Sequence, residues 1–129
     1  MKKLLFVPLF LIVSFCFSQN SKQIIGKPVK IGNLLVAQFD FFVEMDRHDA
    51  DKACRELGKG WRLPTKYELK ILYKNRNKIG GFKYSGYWSQ DIFPINDNLF
   101  HYWIMRFQDG VIDTTDFDEP LLARAVKSI

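Results

Sequence analysis

The chain has 129 residues, 47% of them apolar and 16% aromatic, with 19 basic against 14 acidic side chains and two cysteines. No segment is low in complexity and no repeat is visible, so solenoid and fibrous classes are excluded. One packed domain rich in large rings, each burying roughly 150–250 Å², is what this composition supports.

The N-terminus is read first as a targeting segment. Lys2 and Lys3 precede an apolar run from Leu4 to Phe17, and Cys16-Phe17-Ser18 places small residues three and one before a cut after Ser18. That is the layout of a secretory signal peptide over residues 1–18. The run is shorter than the roughly 20 residues of a spanning helix, and Pro8 interrupts it, so no stable membrane span is expected after cleavage. Removal leaves roughly 110 residues, one domain burying about two thirds of its unfolded surface. With Lys2 and Lys3 gone, 17 basic residues face 14 acidic ones. The balance is mildly basic, and no nucleic acid is expected among the partners. Cys54 is then the single cysteine, and stability has to come from packing rather than an intramolecular disulfide.

Residues 19–30 are polar, with Gly26 and Pro28, and read as a tether or an early edge strand before a single domain over 31–129. Leu34 to Glu44 is strand-like, because Phe39, Phe41 and Val43 alternate with Gln38, Asp40 and Glu44. Phe42 breaks the alternation and implies burial on both faces there. Asp46 caps a first helix, with Asp49 in the opening turn. Ala50, Ala53, Cys54 and Leu57 form one apolar stripe, and Gly58 and Gly60 end the helix. Cys54 on that stripe reads as an inert buried thiol.

Thr65 and Glu68 form a Thr-x-x-Glu capping box for a second helix. Pro64 makes Leu63 extended, and Leu69, Leu72 and Tyr73 supply the inward stripe. Trp61 is placed in the core between the two helices, and Arg62 is expected to clamp carbonyls or a carboxylate. Gly80-Gly81 breaks the helical stretch. Tyr102 to Phe107 is a strand, Asp109-Gly110 a hairpin turn that matches strand twist, and Val111 to Thr115 the return. Leu121 to Lys127 reads as a last strand after Pro120. Early helices followed by antiparallel strands predict an α+β fold.

Asp49-Ala50, Cys54, Leu57-Gly58, Gly60-Trp61-Arg62-Leu63-Pro64-Thr65, Glu68-Leu69, Leu72-Tyr73, Ile79-Gly80-Gly81, Tyr87-Trp88-Ser89, Asp109-Gly110 and Arg124-Ala125-Val126 recur at spacings that span Ile31 to Ser128. In them the chain resembles the exported bacterial domain of unknown function at the C-terminus of the collagen-like adhesin. That resemblance implies a C-type-lectin-like fold, akin to formylglycine-generating proteins, with two helices flanking a small twisted antiparallel sheet and the terminal strands side by side. It also implies an adhesin-like module, since the adhesin's domain is implicated in binding sulfated polysaccharide. The chain departs from the family at Arg47-His48, where Asn-Trp is usual, and at Gln90-Asp91, where Ser-Thr is usual. The matched residues are turn glycines, caps and core aromatics, which transfer fold better than ligand.

Two charged runs lie outside the matches. Lys70, Lys74, Arg76, Lys78 and Lys83 have no acid among them between Glu68 and Asp91, and Asn75, Asn77, Phe82 and Tyr84 are interleaved. Such a run either gathers anions or is a solvated helix end and polar loop. The site expected for an anionic polysaccharide comprises Lys74, Arg76, Lys78, Lys83 and Tyr84. The second run, Asp109, Asp113, Asp116, Asp118 and Glu119, has oxygen donors of the kind calcium takes. Its spacing fits no EF-hand, and the calcium-lectin triplets are missing, so it reads as a solvated acidic hairpin. His48 and His101 make no paired-ligand spacing, and no triad has a geometric warrant. Neither metal nor cofactor is expected. The formylglycine-generating chemistry relies on cysteines, and Cys54 faces inward, so the chain reads as a non-enzyme. An exported binding module for an anionic glycan or other surface polymer is the first function class. A protein-recognition or structural module presenting Tyr84, Phe93, Phe100 or Tyr102 is the second. The product would stay in the periplasm, on the surface or in the medium.

Overall fold

A computed structural model describes residues 20–129, so the expected signal peptide over 1–18 lies outside the described residues. The described residues form four helices and seven strands, the strands lying in two small antiparallel sheets. Helix α1 spans Ser21–Ile25, α2 Arg47–Glu56, α3 Lys66–Lys74 and α4 Arg76–Ile79. The strands are β1 Val29–Ile31, β2 Leu34–Val36, β3 Trp61–Arg62, β4 Gly86–Asn96, β5 Leu99–Arg106, β6 Val111–Thr115 and β7 Val126–Ser128. The first sheet has the order β1-β2-β7-β3 and the second β4-β5-β6. Leu34 opposes Ser128 and Val36 opposes Val126, so the two ends of the domain share a ladder.

The caps work as the sequence implies. Asp46 accepts from the Asp49 amide at 2.8 Å. Thr65 and Glu68 exchange side-chain and amide bonds at 3.0 and 2.8 Å. Each such cap contributes about 1 kcal/mol. Arg62 is the clamp expected of it. Its guanidinium grips both oxygens of Glu68 at 2.7 and 3.0 Å and also donates to the Leu63 carbonyl and the Ser128 hydroxyl. β3 and the start of α3 are thereby tied to the C-terminal strand.

Other segments differ from the sequence reading. Residues 20–30 are neither tether nor plain edge. Asn20 and Gln23 make a capping box for α1, whose Ile24 is fully buried in the core, and the edge strand β1 starts only at Val29. The strand over 34–44 stops at Val36. Beyond it, Gln38 and Phe39 donate to the Ile25 and Ile24 carbonyls, while Ala37 and Phe41 donate to Ala125 and Ala123. The backbone thus divides its bonds between two neighbours, and no single ladder forms. Of the alternating rings only Phe41 is buried, and Phe42 is 60% exposed rather than buried on both faces.

Trp61 packs with Ala50, Cys54 and Leu63 in one core cluster, whereas Leu69 and Leu72 of α3 belong to a second. It therefore sides with α2 and does not stand between the helices. β4 was not legible as a strand; it carries Tyr87 and Trp88, both fully buried. The β5–β6 turn takes four residues, not two, because Arg106 pairs with Val111 and the Gly110 amide reaches the Arg106 carbonyl. Gly110 has φ +75°, and a Cβ there would sit 2.5 Å from the Tyr73 ring. Only glycine fits that turn.

Candidate functional site

A polar concavity is built by the segment after α3. Asn75 ends that helix, the short α4 follows, and Gly80-Gly81 turn the chain back towards β4. Arg76, Asn77, Gly80, Gly81, Phe82, Lys83, Tyr84 and Phe107 enclose a cavity of about 270 Å³. Of the five residues expected from sequence, Arg76, Lys83 and Tyr84 are brought together here. Lys74 and Lys78 are exposed on the helix ends and do not line it.

These three side chains are not equivalent. The Arg76 guanidinium lies 4.0 Å from the Tyr73 ring centroid and donates to the Tyr73 carbonyl at 2.8 Å. Part of its charge is already engaged. The Lys83 side chain makes no hydrogen bond or ion pair with any described residue. Tyr84 is 84% exposed. An ammonium without a hydrogen bond, whose charge also bears on Asp40, and an open ring are what remain for a ligand.

The wall behind them rests on a buried ion pair that sequence reasoning missed. Arg124, in an apolar run from Leu121 to Val126, has a fully buried side chain. Its Nε donates to Asp40 at 2.8 Å, and its Nη atoms reach the Ala37 and Gly80 carbonyls at 3.2–3.3 Å. The guanidinium also lies 4.1 Å from the Phe82 ring. The Tyr87 hydroxyl donates to the other Asp40 oxygen at 2.7 Å and accepts from the Lys83 amide. Burial pushes the Asp40 carboxyl up against the opposing pull of Arg124 and Tyr87. Burial, then the Asp40 charge, drives the Tyr87 phenol well above its ordinary value. One arginine therefore joins residues 37–40, 80–82 and 124. The available signal was a lone charge inside an apolar stretch, because such residues are buried only when paired.

Cys54 is fully buried, and burial pushes its thiol up to about 12, with Asp51 adding to the shift and Arg47 opposing it. The thiol form therefore prevails at neutral pH. Among the described residues no group of three or more His, Cys, Asp or Glu is placed to hold a metal. His48 packs edge-on against Phe117, and His101 Nε2 lies 2.9 Å from Asp116. The acidic run is tied to its own sheet. Arg106 contacts Asp113 at 3.0 Å and Asp109 at 3.6 Å, and the Thr115 hydroxyl donates to Glu119.

No family model matches the chain, and no curated protein matches it. Solved structures do. EMS16, an antagonist of the collagen receptor integrin α2β1, aligns over 79% of this chain and 97% of its own, at 14% identity and a TM-score of 0.60. Botrocetin aligns over 81% and 98%, at 11% identity and 0.57. The snake venom toxin convulxin aligns over 81% and 96%, at 11% identity and 0.56. The fold is C-type-lectin-like. At such identities the likeness fixes architecture, including the joined terminal strands, and leaves the ligand to the site itself. No described helix of this C-type-lectin-like domain is long and apolar enough to cross a membrane.

Proposed function

We propose that the chain is an exported, non-catalytic binding module, bacterial and adhesin-like, that takes an anionic polysaccharide or other acidic surface polymer in the cavity between Arg76 and Tyr84. The observation that carries this reading is the unpaired Lys83 ammonium beside the exposed Tyr84 ring, at a cavity that Arg76 also lines. A cation there raises the local concentration of anions, and the open ring offers a face for a sugar. Lys74 and Lys78, outside the cavity, extend the positive field. Kinship with the collagen-like adhesin domain rests on the residue matches from Ile31 to Ser128 and supports the polysaccharide class. The signal-peptide layout of residues 1–18 supports export.

Titration of the protein with heparin at low salt tests the reading. Lys83→Gln and Tyr84→Ala should each weaken binding about tenfold, the step set by roughly 1.4 kcal/mol. Salt near 0.5 M should weaken it further by screening. Absence of binding at low salt, or full retention in both variants, defeats the proposal.

A second reading, protein recognition, is favoured by the β4–β5 hairpin. Ile92, Phe93, Ile95, Leu99 and Phe100 are all exposed there on paired strands. Clusters of that kind mark contact surfaces. EMS16 is an integrin antagonist, and botrocetin forms a complex with the von Willebrand factor A1 domain. Those likenesses lend this reading support. A glycan array on which the protein binds nothing would favour it over the first.

A further inference from the structure

Helix α3 and the β4–β5 hairpin meet along a series of ring and cation contacts outside the cavity. Phe93 stands against the Trp103 ring at 5.3 Å, and Lys66 Nζ lies 4.1 Å from the Trp103 centroid and 5.3 Å from that of Tyr67. Lys70 Nζ follows at 5.6 Å from the same Tyr67 ring. Phe93, Tyr67 and Lys70 are all exposed, Tyr67 at 64%. Neither ammonium makes an ion pair or a hydrogen bond with a described residue. Of the acids beside them, Glu68 is held by Arg62, and Asp91 accepts from the Lys66 amide at 2.6 Å. Resting on the protein-recognition reading of the hairpin, we infer that this platform docks an extended acidic segment of a partner protein. Carboxylates at alternate positions of the segment meet Lys66 and Lys70, and an apolar side chain beside them lies against Phe93 and Trp103.

Spacing, rigidity and chemistry each favour that partner. Lys66 and Lys70 are one helical turn apart, which sets their Cβ atoms roughly 5–6 Å from each other. Alternate residues of an extended chain point to one side at a repeat of about 6.6 Å, so two acids so placed match the two lysines. The platform is also formed in advance. Ser89, Gln90 and Asp91 oppose Trp103 alone, since Trp88 pairs with Ile104 and Ile92 with Tyr102. This bulge is strapped to the start of α3, where the Gln90 amide donates to the Pro64 carbonyl at 2.8 Å and Asp91 takes the Lys66 amide. Bulges re-aim side chains, and here the result is a tryptophan held against a lysine. A lysine already resting on two rings has less freedom to lose when a partner binds. The hairpin decides between a protein and a sugar. Phe93 joins the platform to the exposed Ile92, Ile95 and Leu99 of β4 and β5. Their aliphatic side chains offer a polysaccharide no ring face but bury well against another protein. Pro94 has no amide hydrogen to give, so the segment is expected on the side chains of the platform and not as a strand added to β4.

Selection of random peptides displayed on phage against the whole protein tests this, followed by isothermal titration of the most enriched peptide, synthesised free. Enriched sequences should carry acids at alternate positions next to an aromatic or aliphatic residue. Lys66→Gln with Lys70→Gln should weaken the free peptide at least about tenfold, and Tyr67→Ala about fivefold. Salt near 0.5 M should weaken binding to the parent by screening. Thermal melts of Lys70→Gln and Tyr67→Ala should match the parent because both side chains are exposed. Those two variants carry the test even if Lys66→Gln melts earlier. Failure to enrich any peptide, enrichment of sequences without acids, or affinity unchanged in the lysine variants overturns the acidic segment. If an enriched peptide indifferent to the lysines loses affinity in Ile95→Ala with Leu99→Ala, the hairpin reading survives alone. If it does not, both fail. Heparin affinity that falls about tenfold in the double lysine variant, with no peptide enriched, assigns the platform to polysaccharide and overturns the protein class.

Discussion

Residues 70–83 and residues 109–119 are both strongly charged, with opposite signs, and the fold disposes of them differently. Most of the acidic hairpin is engaged by its own sheet: Arg106 pairs with Asp109 and Asp113, His101 contacts Asp116, and the Thr115 hydroxyl donates to Glu119. The basic stretch is braced from beneath through Gly80 and Phe82, while Lys83 at its end stays unpaired among the described residues. Charge already met internally has little left to offer a ligand, whereas charge held on a rigid wall with no partner does. A run of like charges in a sequence says nothing of this difference. It depends on which residues face the run from distant parts of the chain.

Three arginine–carboxylate pairs grade this contrast by burial. The Arg124–Asp40 side chains are 0% and 8% exposed, Arg62–Glu68 27% and 21%, and Arg106–Asp113 36% and 53%. The largest effect is expected at the first. Arg124→Ala leaves Asp40 buried without its cation and frees the Ala37 and Gly80 carbonyls, a loss of about 3–5 kcal/mol. Chemical denaturation should show it, together with loss of polyanion binding in whatever fraction remains folded. A loss below 1 kcal/mol would mean that the cavity wall does not hang on this side chain, and the comparison would collapse.

The middle pair should show itself through pH. Burial works to raise the Glu68 carboxyl, but bonds from Arg62 and from the Thr65 amide outweigh it and hold the group below its ordinary value. A carboxyl lowered on folding stabilises the fold above its unfolded pKa, about 4.3, and that contribution fades as pH falls through the folded value. Glu68→Gln keeps the capping-box geometry and loses the charge. It should cost about 1 kcal/mol near pH 7 and converge with the parent once pH has fallen below the folded value. Parallel pH profiles for the two proteins would show that the clamp works by shape alone.

How much of this was legible in the sequence follows from the range of the interactions. Asp46, Thr65 and Glu68 cap within three residues of themselves, and the glycine–tryptophan–arginine step is fixed by its immediate neighbours, so both helices and the Arg62 clamp could be read. Phe39, Phe41 and Val43 alternate with polar residues like a strand, yet the Phe39 and Phe41 amides are taken by Ile24 and Ala123. No local pattern reports those partners. The site divides in the same way. Arg76, Lys83 and Tyr84 were found because they are close in sequence. Arg124 was not, because only the fold brings it alongside. Lys74 and Lys78 were included on spacing alone, and the turn at Asn75 sends them elsewhere.

The exposed pair gives the smallest effect and the sharpest control. Arg106 spans Asp109 and Asp113 across the hairpin, but half of each carboxylate is in water, where attraction is weak and salt screens what is left. Arg106→Ala should cost about 0.2–1 kcal/mol, and most of that should vanish in 1 M sodium chloride, where the screening length is about 3 Å. The backbone turn does not depend on it, since the Gly110 amide still reaches residue 106 and Asp109 still accepts from Val111. A loss comparable to that of Arg124→Ala, persisting at high salt, would show that the acidic hairpin is braced as firmly as the basic wall. The two runs would then differ only in sign.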